Sequence, residues 1–180
     1  MNHLGLSKEI SYVLRHAPWK YELELDQYGW VSIDQLLTAL KENARWESVT
    51  YEDLEYIGQN SQKKRHEIVD GKIRALYGHS IPMKISKESS EPPEVLFHGT
   101  ARRFIESIEE VGLLPKGRQY VHLSNDTQMA TEVGRRHDEK PVILRIDART
   151  AYNEGIKFYF GNDKVWLADS IPSRYITVIL

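Results

Sequence analysis

Through the first third of the chain, apolar residues return every three or four positions. Leu6, Ile10, Val13 and Leu14 mark one face of a helix that begins at Ser7 or just before it and runs toward Arg15-His16-Ala17-Pro18, where proline predicts the stop. Gly29-Trp30-Val31 predicts a short extended piece. Ser32 and Asp34 open a second helix with Ile33, Leu36, Leu37 and Leu40 on one side. Thr50 and Asp53 read as a capping box, Asp replacing the usual Glu, ahead of a third helix carrying Leu54 and Ile57. The period then shortens. Residues 66–69, the pair Asp70-Gly71 and residues 72–77 predict a hairpin, because Asp-Gly suits the two positive φ angles of a type I′ turn.

Three helices followed by a β-wing is the plan of a winged helix. Beyond residue 93 the habit changes. Short strands are predicted at 95–98, 120–123 and 141–146, separated by helices at 104–111 and 127–136, and residues 157–167 are rich enough in aromatic and β-branched side chains to add strands. Phe104, Ile105, Ile108 and Val111 share one face of the first of these helices, and Gly112 supplies its stop. Between the halves, residues 80–93 read SIPMKISKESSEPP and interrupt both patterns. The expected fold class is therefore α+β, with a winged-helix lobe at 1–80, a linker at 81–93 and a mixed α/β lobe at 94–180.

At 180 residues the chain can bury a core without covalent staples, and with no cysteine it has neither a disulfide framework nor a thiol nucleophile. No metal site is expected, since the histidines lack short paired spacings. The 24 basic and 26 acidic residues leave a net charge of −2, so bulk charge makes no case for nucleic acid. Any polyanion must be met locally. No apolar run approaches the ~20 residues that cross a bilayer, and the N-terminal stretch lacks a signal-peptide core. A cytoplasmic protein with no membrane partner is expected.

Neither a P-loop nor a Rossmann glycine fingerprint is present. What stands out is Arg and His at element ends: Arg15-His16, Lys63-Lys64-Arg65-His66, His98-Gly99-Thr100, His122-Leu123-Ser124 and Arg135-Arg136-His137. Each has a bland reading. Cations at helix ends complement the helix dipole, a basic triplet is commonly a solvated face, and Thr after Gly can simply cap a turn. Residues 61–77 form the most basic window, with five Lys or Arg against two acids, and this window contains the expected wing. On the strand at 120–123 and just beyond it, His122 and Ser124 share a face opposite Leu123.

Taken in order, these islands resemble the KptA-like RNA 2′-phosphotransferases along nearly the whole chain. The resemblance is carried by Leu6-Ser7-Lys8, Val13-Leu14-Arg15-His16-x-Pro18, Leu25-Asp26, Gly29-Trp30-Val31, Lys63-Lys64-Arg65, Gly78-His79-Ser80, Leu96-Phe97-His98-Gly99-Thr100, Val121-His122-Leu123-Ser124, Val133-Gly134-Arg135-Arg136-His137, Pro141-Val142-Ile143-Leu144 and Val165-Trp166-Leu167. Two positions depart from the family habit: His66 stands where an aromatic often follows the basic triplet, and Asp138 where glycine often follows the later Arg-His. The resemblance implies that the winged-helix lobe binds RNA and that the C-terminal lobe is of ADP-ribosyltransferase type, binding NAD without a Rossmann fold.

The implied reaction removes an internal 2′-phosphate from RNA, of the kind met in tRNA splicing. NAD is consumed as co-substrate, and the products are 2′-hydroxyl RNA, nicotinamide and ADP-ribose 1″,2″-cyclic phosphate. A phosphate dianion needs no base to become a nucleophile, so arginines suffice for the first step. Arg15, Arg65 and Arg136 are the expected phosphate-binding residues, with Arg135 the alternative to Arg136, and His16 is the expected proton carrier of the second step. His98, Gly99, Thr100, His122 and Ser124 are expected to line the NAD pocket. A monomer is expected. Two other functions fit the same pattern: an ADP-ribosyltransferase acting on terminal phosphates of nucleic acid or on protein, and a winged-helix regulator that only senses NAD or a metabolite of it.

Overall fold

Two antiparallel sheets organise the chain, one in each half. The computed structural model describes residues 1–179, and the chain divides into two units, Met1–Ser86 and Lys87–Leu180.

In the first unit, α1 (His3–Arg15) is capped by Asn2, whose side-chain oxygen accepts from Gly5 N at 2.9 Å. Its buried face is Leu6, Ile10, Val13 and Leu14, as the spacing predicts. The helix ends at Arg15 with His16 as its C-cap, ahead of Pro18, which opens a 3-10 helix at Pro18–Tyr21. Ser32 caps α2 (Ile33–Lys41), and the Thr50/Asp53 capping box is formed at the start of α3 (Tyr51–Asn60). Strands β1 (Val31–Ser32), β2 (His66–Val69) and β3 (Lys72–Ala75) lie in the order β1-β3-β2. Asp70 and Gly71 hold φ angles of 49° and 75°, the conformation that the Asp-Gly pair predicts for the hairpin. Ile73 and Ala75 face inward and join the α1 stripe, α2, Trp46 and Val49 in one core. Each fully buried Leu or Ile there contributes roughly 1.5–3 kcal/mol, so truncating Leu14 would break this core.

The second unit carries β4 (Leu96–Thr100), α4 (Ile105–Val111), β5 (Val121–Ser124), α5 (Thr127–Gly134), β6 (Val142–Ile146), α6 (Ala148–Asn153), β7 (Phe158–Phe160), β8 (Val165–Ala168) and β9 (Ile176–Val178). The sheet order is β7-β8-β5-β4-β6-β9 and every pairing is antiparallel. No parallel βαβ crossover is needed, and the helices pack on the antiparallel sheet. Residues 157–167 yield the two strands β7 and β8, while α6 and the three-residue β9 are additions to the sequence reading.

One contact fixes the geometry of the sheet centre. A Cβ on Gly99 would sit 1.8 Å from the Ala130 carbonyl oxygen, and one on Gly134 would meet Pro141 Cβ at 2.6 Å and Gly99 backbone carbon at 3.2 Å. Helix α5 thus lies directly on strand β4 through two glycines. Among the described residues, no helix is long and apolar enough to cross a membrane.

Candidate functional site

In the first unit the candidate residues gather where α1 ends. Arg15 is the only basic residue of the last α1 turn, and its guanidinium lies over the Tyr77 ring at 5.0 Å. Gly78 follows with φ of 85°, and a Cβ there would meet Arg15 Cδ and Nε at 3.4 Å. Ser80 N donates to Arg15 O at 2.9 Å, and Ser80 Oγ lies 2.7 Å from His16 Nδ1. Residues 77–80 therefore wrap the Arg15-His16 pair on the side-chain and main-chain levels at once.

Arg65 directly precedes β2, where its carbonyl accepts from Leu76 N at 2.9 Å. The next residue, His66, is buried in the core and lies 3.0 Å from Ser11 Oγ through Nε2, and Ser11 Oγ donates in turn to Ser7 O at 2.8 Å. Burial pushes the His66 imidazole down to about 3, and the positive charges of Arg15 and Arg65 push the same way. His66 is accordingly neutral at physiological pH. The two arginines act on one ring from different elements, so the fold draws Arg15 and Arg65 into one electropositive neighbourhood, with His16 beside Arg15. Where the family habit is an aromatic, a neutral histidine supplies a similar buried ring with a hydrogen-bond partner.

In the second unit the candidates sit in the middle of the sheet. His98 Nδ1 is 2.8 Å from the His122 carbonyl oxygen; a carbonyl only accepts, so the imidazole carries its hydrogen on Nδ1. Desolvation lowers the His98 pKa against that bond, and the charges of His137, Arg118 and Lys116 lower it further. The ring is neutral, with Nε2 as acceptor. Thr100 and Ser124 are both buried, Thr100 facing Val142 and Ser124 facing Phe97 in the ladder. Gly99 has a packing reason of its own in the contact with α5.

Arg118 was not among the residues read from the sequence. Its Nη1 donates to His122 Nδ1 at 3.0 Å, so it stands beside a candidate dinucleotide residue and within the field of His98. Its only sequence signal is a lone arginine four positions before His122. Arg135 and Arg136 are exposed at the end of α5, where Arg135 is the C-cap. The following turn is braced by Asp138, whose carboxylate accepts from Lys140 N at 3.0 Å and Arg102 N at 3.3 Å; these bonds hold its pKa below the usual range. Arg103 Nη1 donates to His137 O at 3.3 Å. Glycine at position 138 would lose this brace.

The charges of Lys116, Arg118 and His137 act on His98, and the buried hydroxyls divide between the two faces of the sheet, Thr100 on the His98 face and Ser124 on the Phe97 face. Among the described residues there is no group of three or more His, Asp or Glu placed to hold a metal ion.

A family model described as RNA 2'-phosphotransferase, Tpt1 / KptA family, matches residues 2–170. The chain is 63% identical over 176 residues to a probable RNA 2'-phosphotransferase of Acetivibrio thermocellus, covering 98% of this chain and 97% of that one. It is 58% identical to one of Bacillus thuringiensis subsp. konkukian over 98% of this chain and 95% of the relative, and 42% identical to one of Pyrococcus horikoshii over 97% and 98%.

Proposed function

The chain belongs to the RNA 2'-phosphotransferase, Tpt1 / KptA family, and from that premise we propose that it removes an internal 2′-phosphate from RNA at the expense of NAD. The family match across residues 2–170 carries this reading. In it, residues 1–80 are a winged-helix RNA-binding lobe, 81–93 a connector and 94–180 an NAD-binding lobe of ADP-ribosyltransferase type.

In this reading the family resemblance implies two substitutions in sequence, and the residues take the following roles in them. In the first, an oxygen of the RNA 2′-phosphate forms a bond to the anomeric carbon of the nicotinamide ribose as the bond to nicotinamide breaks, and nicotinamide leaves neutral. Arg15 and Arg65 hold and orient the phosphate; the fields of both already meet at His66. His98, kept neutral with its hydrogen given to the His122 carbonyl, offers Nε2 to a ribose hydroxyl. Gly99, Thr100, His122 and Ser124 are the other NAD-binding residues by motif. In the second, the ADP-ribose 2″-oxygen bonds to phosphorus, the bond to the RNA 2′-oxygen breaks, His16 takes the 2″-hydroxyl proton and a proton ends on the departing 2′-oxygen. The fourth phosphate cation is Arg136 by motif, and Arg118 competes for the role by its contact with His122.

The test is incubation with NAD and a short RNA bearing one internal 2′-phosphate. Nicotinamide, ADP-ribose 1″,2″-cyclic phosphate and RNA with a free 2′-hydroxyl are expected. No nicotinamide release across a range of pH and salt would overturn the proposal, and a stable ADP-ribosylated end product would make the protein an ADP-ribosyltransferase instead. Comparing Arg118→Ala with Arg136→Ala then decides the fourth cation: the true one loses activity on the order of 100-fold or more, the other little.

A further inference from the structure

We propose that Ser80 is a positioning residue for the second step: its hydroxyl accepts the Nδ1 hydrogen of His16 and so makes Nε2 the atom that takes and returns the proton. This rests on His16 being the proton carrier. The contact itself is 2.7 Å between Ser80 Oγ and His16 Nδ1. Both residues are exposed, so water competes for a lone hydroxyl–imidazole bond. The main chain removes that freedom. Ser80 N donates to Arg15 O at 2.9 Å, which fixes the serine backbone one residue from the imidazole it serves.

The approach to Ser80 is built for this contact. Gly78 turns the chain with φ of 85°, a conformation that side-chain-bearing residues seldom hold, and does so against Arg15, where a Cβ would stand 3.4 Å from Cδ and Nε. His79 is buried, its Nε2 3.3 Å from the position of a Cβ on Gly29, whose own φ is 85°. Tyr77 lies under the Arg15 guanidinium. A segment anchored at 77, 78 and 79 thus delivers one hydroxyl to one ring nitrogen.

A hydroxyl and an imidazole nitrogen can pair in either direction, and the chemistry of a proton carrier chooses between them. The imidazolium has no lone pair on Nδ1, so a bond donated by serine would be lost each time His16 took up a proton. A bond accepted by serine survives in both states. Nε2, on the far side of the ring, is then the site that titrates. Free neutral histidine in water favours the hydrogen on Nε2, so Ser80 selects the less common tautomer and holds the ring plane through the cycle.

Selective 15N labelling of histidine, with His16 assigned by His16→Gln, reads the tautomer directly. Wild-type protein at a pH where His16 is neutral should show Nδ1 protonated and Nε2 bare, and Ser80→Ala should shift the balance toward Nε2–H. In single-turnover assays, Ser80→Ala should leave nicotinamide release within a few-fold of wild type and slow cyclic-phosphate formation by roughly 10- to 100-fold, short of the ~10⁴ seen where a buried carboxylate sets the tautomer. Its pH profile should move, and Ser80→Thr should restore both readouts. A wild-type spectrum with hydrogen on Nε2, or a Ser80→Ala enzyme with unchanged second step, would overturn the proposal. A wild-type protein inactive on 2′-phosphorylated RNA would instead overturn the functional reading, and the tautomer spectrum would still decide the Ser80 contact.

Discussion

The two units hold their candidate residues by different means. In the first, Arg15, His16 and Arg65 stand at the ends of elements and are held by side chains and loop backbone: Tyr77 beneath one guanidinium, Gly78 against it, Ser80 on the imidazole. In the second, His98, Gly99, Thr100, His122 and Ser124 lie on β4 and β5, two central strands of a six-stranded order, with the β4 residues in register with β6 and the β5 residues in register with β8. A sheet centre sets positions to within its register and changes only by unfolding. A cluster of element ends can be retuned by one loop. The glycines repeat the contrast, since Gly99 is pressed on backbone and Gly78 on the end of a flexible side chain.

The sharpest way to break this comparison is to add one methyl group to each glycine. Gly99→Ala must displace the Ala130 carbonyl and should cost about 3 kcal/mol or more in chemical denaturation, unfolding the second unit first. Gly78→Ala should cost only about 1–2 kcal/mol, from its positive φ, while lowering turnover by more than that loss explains. Equal destabilisation by the two would erase the distinction. A pH series tests the buried histidines. The His66 pKa is about 3 in the folded chain and about 6.5 when unfolded, so between those values the unfolded chain binds a proton that the folded one refuses. Stability should therefore fall as pH drops from about 6.5 toward 3, by up to about 1.4 kcal/mol per pH unit, with no contribution above that window. His98 adds a slope of the same sign in the second unit, and His66→Phe should flatten the slope of the first unit only. The smallest effect lies at the caps. Asp126→Ala, which removes the acceptor of Met129 N at 2.7 Å, should cost about 1 kcal/mol, and Asn2→Ala somewhat less in thermal melts.

Much of the first unit was legible because its signals are local. The stripe Leu6, Ile10, Val13 and Leu14, the Thr50/Asp53 box and the Asp70-Gly71 turn each need only neighbours in sequence. In the second unit, β4, β5 and β6 were readable to within a residue or two, but α6 has six residues and β9 has three, two of them exposed, too few for any period to show. The same limit applies to the site. The Arg and His islands stood out by composition and order, whereas the bonds between Ser80 and His16, between Ser11 and His66 and between Arg118 and His122 join residues whose pairing no spacing encodes. The glycine of His98-Gly99-Thr100 looked like room for a ligand, and the structure adds a helix that needs the space.

Intact-mass analysis of a short 2′-phosphorylated RNA, incubated with NAD and either wild-type protein or His16→Ala, tests the division of labour most directly. Wild type should leave RNA lighter by one phosphate, and His16→Ala should release nicotinamide while leaving RNA heavier by one ADP-ribose on its 2′-phosphate. RNA that remains unmodified by His16→Ala, with no nicotinamide released, would contradict the account, because His16 would then be required before the proton it is assigned has to move.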